Sequence, residues 1–174
     1  AAAEVAALAA RHPAATALHP AGAGVAAVTA ALEHAGCAHI ASHGAFRADN
    51  PLFSALTLAD GPLTVYDLER LPAVPRDVIL SACDGGVSAV RPGDELMGFS
   101  AALLALGTSA LVASVVPVPD EPTRRLMLAL HERLAAGEEP APALAGARAD
   151  ALGDDDADRV SAAGFVCFGA GSAA

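Results

Sequence analysis

The chain has 174 residues, 54% of them apolar, and a formal net charge of −10. That length fits one domain, 1–174, with a sizeable core built from Ala, Leu and Val, because aromatic residues are only 3% and Trp is absent. Nucleic acid is excluded as a partner on charge, since phosphate binding needs a clustered basic patch and the ten basic residues are scattered Arg.

In chain order, Glu4 to Arg11 predicts a helix that stops near Pro13, and Thr16 to His19 a short strand. Val25, Val28 and Leu32 recur at helical spacing between Gly24 and His34, with Gly36 placed to end that helix. Ala38 to His43 reads as a strand. A loop or hairpin follows from Phe46 to Pro62, with turn signals at Asp49-Asn50-Pro51 and Asp60-Gly61-Pro62. Thr64 and Asp67 have capping-box spacing ahead of a short helix to Leu71. Asp77 to Ala82 is a second strand, Gly93 to Leu106 a buried helix, and Ala110 to Val116 a third strand. Asp120 is placed to cap a helix running to Gly137, another helix spans about Ala141 to Leu152, and an acidic turn at Gly153 to Asp156 precedes a last strand, Phe165 to Phe168.

No stretch reaches the roughly 18 consecutive apolar residues of a membrane span; Met97 to Val118 comes closest and is interrupted by Gly107, Thr108, Ser109 and Ser114. Cys37, Cys83 and Cys167 are odd in number and widely spaced, which fits a reducing, cytoplasmic setting rather than a disulfide framework. The chain opens inside a helix without a Met, so truncation at the N-terminus is expected.

Strands alternating with helices indicate an α/β fold, and the apolar runs at 38–43, 77–82 and 110–116 suit a mostly parallel sheet with helices on both faces. Such sheets bind ligands at the carboxyl ends of their strands. His43 and Cys83 occupy two of those ends, each followed by small residues (Gly44; Gly85 and Gly86) that leave room for substrate. A His beside a thiol favours the nucleophilic thiolate and can return a proton to a leaving amine. From the residues alone a Cys–His pair is a non-specific signal, and a buried structural thiol with a satisfied core His is the commoner arrangement.

The stretch HIASHGAF…NPLFSALTLADGPLTVYDLERL…VILSACDGG…GDELMGFSAALLALGTSALVASVVPVPDEPTRRLM resembles the CHAT domain, strongly over residues 38–134 and more loosely from Glu4 to Gly169. The resemblance implies a caspase-haemoglobinase fold, in the clan of caspases, legumain, gingipain and separase. It further implies a His43–Cys83 catalytic dyad, oxyanion donors in the backbone N–H groups of Gly44 and Cys83, a protein or peptide substrate, no metal or organic cofactor, and regulation by an upstream partner domain such as TPR repeats. Three local departures stand out: Ala-Ser-His-Gly for the family's Ala-Cys-His-Gly, Asp84-Gly85-Gly86 for Glu-Thr-Gly, and Ser114 to Asp120 for Ser-Leu-Trp-Pro-Val-Asp-Asp. The last of these removes a Trp and an Asp from the expected substrate pocket. The family also places a strand ahead of the first helix, within the sheet between those at Thr16 and Ala38.

Asp84 and Asp120 are candidates for a pocket that selects a basic side chain; each is also an ordinary turn or cap residue. Asp94 and Glu95 match the family and equally suit the first turn of a helix. Cys37, His39 and His43 share a strand face and sketch a metal site, but no fourth ligand is in view and a metal on His43 would block its use as a base, so His39 reads better as a core residue. Gly22-Ala-Gly24 is read as a turn, since neither phosphate motif is complete, and Cys37 and Cys167 as small apolar residues. His12, His19, His34 and His131 belong to no constellation and are expected at the surface. These observations point to a cysteine endopeptidase domain, with a catalytically silent scaffold for protein–protein interaction as the alternative and a small-molecule hydrolase as a third reading.

Overall fold

The computed structural model describes residues 2–45, 53–83, 94–151, 153 and 155–169. Its elements are α1 (Ala2–Arg11), a 3-10 turn (Pro20–Gly22), α2 (Val25–His34), β1 (Cys37–Ala45), β2 (Ala55–Thr57), β3 (Pro62–Thr64), α3 (Val65–Leu68), β4 (Asp77–Cys83), α4 (Asp94–Ala105), β5 (Ala110–Ser114), α5 (Asp120–Ala135), α6 (Pro140–Ala151), α7 (Asp156–Gly164) and β6 (Phe165–Phe168). The strands form one six-stranded sheet in the order β3-β2-β1-β4-β5-β6. Its centre, β1-β4-β5, is parallel, while β2, β3 and β6 join antiparallel at the flanks.

Strand alternation divides the core between the two faces. Val78, Leu80, Leu111 and Ala113 point to α2, α3 and α4, meeting Val28, Leu32, Val65, Leu68, Phe99 and Leu103. Ile79 and Val112, the intervening positions, point to α5 and α6, where Leu126, Met127, Leu130, Ala143, Leu144 and Ala147 close over them with Phe165. This double coverage explains why β4 and β5 lack apolar–polar alternation. Helix α1 lies against β1 and α5 but buries only Leu8 among its apolar side chains.

Local chemistry accounts for several boundaries. Thr64 and Asp67 make both halves of a capping box at α3, with Asp67 accepting from the Thr64 N–H at 2.9 Å. Asp60, in the turn between β2 and β3, accepts from Val25 N–H at 2.7 Å and so caps α2 from 35 residues away. Gly24 permits that approach, because a Cβ there would sit 2.6 Å from Asp60 Oδ2.

Four expectations are corrected. Residues 16–19 form no strand; Leu18 packs on the core, but the backbone joins no ladder. Helix α2 ends on Ala35 in an extended conformation, so Gly36 supplies no left-handed cap. Asp120 lies inside α5, whose N-cap is Pro119, and it makes no cap. The acidic turn at Gly153 to Asp156 opens a helix, α7, with Asp155 as its N-cap, accepting from Ala157 N–H at 3.0 Å. Asp49, Asn50 and Pro51 lie outside the described residues. Strand β1 meets the hairpin only at His43 to Ala45; from Cys37 to Ser42 it pairs, among the described residues, with β4 alone.

Candidate active site

The chain's direction of travel across the sheet reverses at β1: the β2–β3 hairpin lies to one side, and β4 followed by β5 to the other. A switch point of this kind leaves a crevice beyond the carboxyl ends of the strands it separates. His43 and Cys83 are register partners at that point, one on β1 and one on β4. Paired positions of a parallel ladder lie at one level of the sheet, about 4.8 Å apart across the strands. Strand β1 does not stop at His43 as expected but runs on to Ala45, because β2 pairs there, with Gly44 opposite Leu56. Gly44 is buried within the strand and His43 is exposed.

His43 lines a small cleft of about 80 Å³ together with Glu4 of α1, Ser42 of β1, Ser81 of β4, Val118, and Asp120 and Thr123 of α5. Each comes from the carboxyl end of the sheet or from a helix packed there. Asp120 is exposed in the first turn of α5, where the helix dipole favours a carboxylate. Thr123 is buried and shares a hydrogen bond of 3.2 Å with Ser161 of α7. The cleft thus presents the carboxylates of Glu4 and Asp120, and among the described residues no Arg lines it.

Behind the cleft lies a polar network that sequence reasoning did not find. Glu4 Oε1 is 2.8 Å from His39 Nε2, with both side chains buried (6% and 9% exposed). His39 Nδ1 is 3.0 Å from His131 Nε2 on α5. The His131 ring lies 5.6 Å from that of His12, whose Nε2 is buried with no hydrogen-bond partner among the described residues. His131, expected at the surface, is pushed down from 6.5 to about 3 by burial, with His39 and His12 adding to the effect. Its signal was present: His131 directly follows the apolar run Leu126 to Leu130 of α5, but only packing reveals that α1 covers it.

Cys37, His39 and His43 do not converge: His39 is committed to Glu4 and His131, and no three metal-binding side chains among the described residues form a site. Cys37 is pushed up to about 11 by burial of its thiol and by the Asp77 carboxylate, and Cys167 is raised by burial and the same Asp77. Asp84 lies outside the described residues, as do Gly85 and Gly86. Asp94 and Glu95 form the start of α4.

Compared with known families, residues 1–170 match the CHAT domain. The chain belongs to the CHAT domain family. That family is one of caspase-like cysteine peptidases, and the mixed, largely parallel six-stranded sheet with helices on both faces is a caspase-like arrangement. No curated protein matches this CHAT domain. No helix among its described residues is long and apolar enough to cross a membrane.

Proposed function

We propose that this CHAT domain is a cysteine endopeptidase that cleaves a protein or peptide substrate through His43 and Cys83. The observation that supports it most directly is the register pairing of these two positions at the switch point of the sheet. A catalytic pair needs both members on rigid mounts, within reach of one bound carbonyl, and neighbouring parallel strands supply such mounts.

In this reading the Cys83 thiolate attacks the scissile carbonyl carbon, and the C–S bond forms as the oxyanion develops. Backbone N–H groups of Gly44 and Cys83 stabilise that oxyanion. The His43 imidazolium protonates the leaving amine as the C–N bond breaks, leaving a thioester. His43, now neutral, takes a proton from water, which attacks the thioester; the acid is released and the thiol restored. No metal or organic cofactor takes part. The carboxylates of Asp120 and Glu4 in the cleft suit a basic side chain on the substrate, with Asp84 adjoining the nucleophile in sequence. Gating by an upstream domain such as TPR repeats, and a cytoplasmic location, complete the proposal.

The departures at Ser114 to Asp120 favour a second reading, a silent scaffold that binds partners on the same sheet. A peptide library with basic residues at every position, incubated with the wild type and with Cys83→Ser, separates the two. Cleavage lost in Cys83→Ser supports the peptidase. Binding without cleavage by either protein supports the scaffold, and turnover of small esters without peptides points to a small-molecule hydrolase.

A further inference from the structure

Helix α1 is held to the domain by little apolar contact. It buries Leu8, with Val5, Ala7 and Ala9 half-buried, and among the described residues its polar anchor points are Glu4, bound to His39, and an exposed ion pair between Arg11 and Glu132 at 3.3 Å. A buried carboxylate facing two histidines is an unusual fastening, because its strength depends on how many protons the histidines hold.

The hydrogen-bond geometry limits that number. With Glu4 ionised, His39 Nε2–H donates to it, which leaves His39 Nδ1 to accept from His131 Nε2–H. One hydrogen fits between His39 Nδ1 and His131 Nε2. A second does not, since His39 Nδ1–H and His131 Nε2–H would then face each other across 3.0 Å. The surrounding groups add to this. From α1 come Glu4, Arg11 and, just beyond its end, His12; from β1, His39, with Cys37 and His43 on the same strand face; from α5, His131 and Glu132, with Asp120 at its start. Glu4 is the one buried carboxylate among them, and His12 lies against the His131 ring.

We propose that the Glu4–His39–His131 ladder is a pH-operated latch, which keeps α1 on the sheet at neutral pH and releases it in mild acid. Release frees His131 to take its proton in solvent and withdraws Glu4 from the wall of the cleft that His43 shares. The direction follows from burial: His131 resists protonation while α1 covers it, pushed down to about 3, and takes a proton near its ordinary 6.5 once uncovered. The latch is independent of any peptidase activity.

Hydrogen exchange on the intact chain, corrected for intrinsic rates, tests it at about pH 7.5 and about pH 5. One proton taken up on release raises the opening equilibrium of α1 about thirtyfold between those conditions. Amides of α1 should lose protection by that factor while exchanging faster than those of α6 at both pH values, and His131→Gln, which retains a donor to His39 but does not titrate, should abolish the change. Equal α1 protection at both pH values, α1 amides that exchange only as slowly as those of α6, or an unchanged response in His131→Gln would overturn the latch. The wild-type comparison of α1 with α6 decides the matter even if the variant fails to fold.

Discussion

His43 of β1 and Cys83 of β4 face each other in register across a parallel ladder, although 40 positions separate them in the chain. The pairing is a property of strand alignment: Cys37 opposite Asp77 at one end fixes His43 opposite Cys83 at the other. A one-residue slip would send the two positions to opposite faces of the sheet.

Alkylation rates show whether the two groups act together. An ordinary thiol titrates near ~8.5. Cys37 and Cys167 are both raised, so at neutral pH they contribute little to alkylation. With those two replaced by Ser, alkylation of Cys83 should persist well below the ordinary range and fall at least about tenfold in His43→Ala. Rates against pH by mass spectrometry check it; an ordinary profile, unaffected by His43, favours the scaffold.

Asp120 has a surface side chain with no cap to maintain, so its role is separable from stability. Asp120→Asn should change the unfolding free energy by less than about 0.5 kcal/mol. If the cleft selects a basic side chain, the variant should raise KM for such peptides about tenfold with kcat little altered, a pattern that marks lost uniform binding. Steady-state kinetics with Arg- and Leu-containing peptides would show it, the Leu peptide remaining unaffected.

The long-range cap makes the β2–β3 turn part of α2. Asp60→Ala removes the acceptor for Val25 N–H and should cost about 1 kcal/mol, read as a lower urea midpoint. Protection of the first-turn amides of α2 should fall first.

Acid stability follows from His131. Its folded value, about 3, lies below its ordinary 6.5, so between these limits the unfolded chain binds the extra proton. Stability is therefore full above about pH 6.5 and declines as pH falls, at up to about 1.4 kcal/mol per pH unit for one proton. Urea titrations across that range should flatten in His131→Gln.

Gly169 ends β6 at φ +106°, and a Cβ there would collide with the Ser109 carbonyl oxygen. Both the left-handed backbone and the collision with main chain oppose a side chain, so Gly169→Ala should cost more than about 2 kcal/mol. Gly36→Ala, in open space without positive φ, should be neutral or slightly stabilising in the same thermal melt.

Much of the fold was legible because its signals are local. The apolar runs of β1, β4 and β5, the helical spacing in α2 and the Thr64–Asp67 capping box each lie within a few residues and match the structure. Helix α7 escaped notice because Asp155 and Asp156 read as turn residues; the same carboxylates favour a helix start, and what makes the helix pay is the burial of Ser161 and Ala162 against neighbouring elements. The strand expected at 16–19 failed for the opposite reason: its residues have strand character but no ladder to join.

The α/β class, the family and the two positions that resemble a catalytic pair are all written in short motifs whose order the chain preserves. Packing alone brings His43 and Cys83 into register, sets Asp120 at the cleft without a capping role, and joins Glu4, His39 and His131 in one partly buried ladder. Those facts depend on strand alignment and helix docking between segments 35 to 92 residues apart. Proton-sharing contacts over such separations leave no periodicity in the chain; they exist only where packing removes water and brings the partners within about 3 Å.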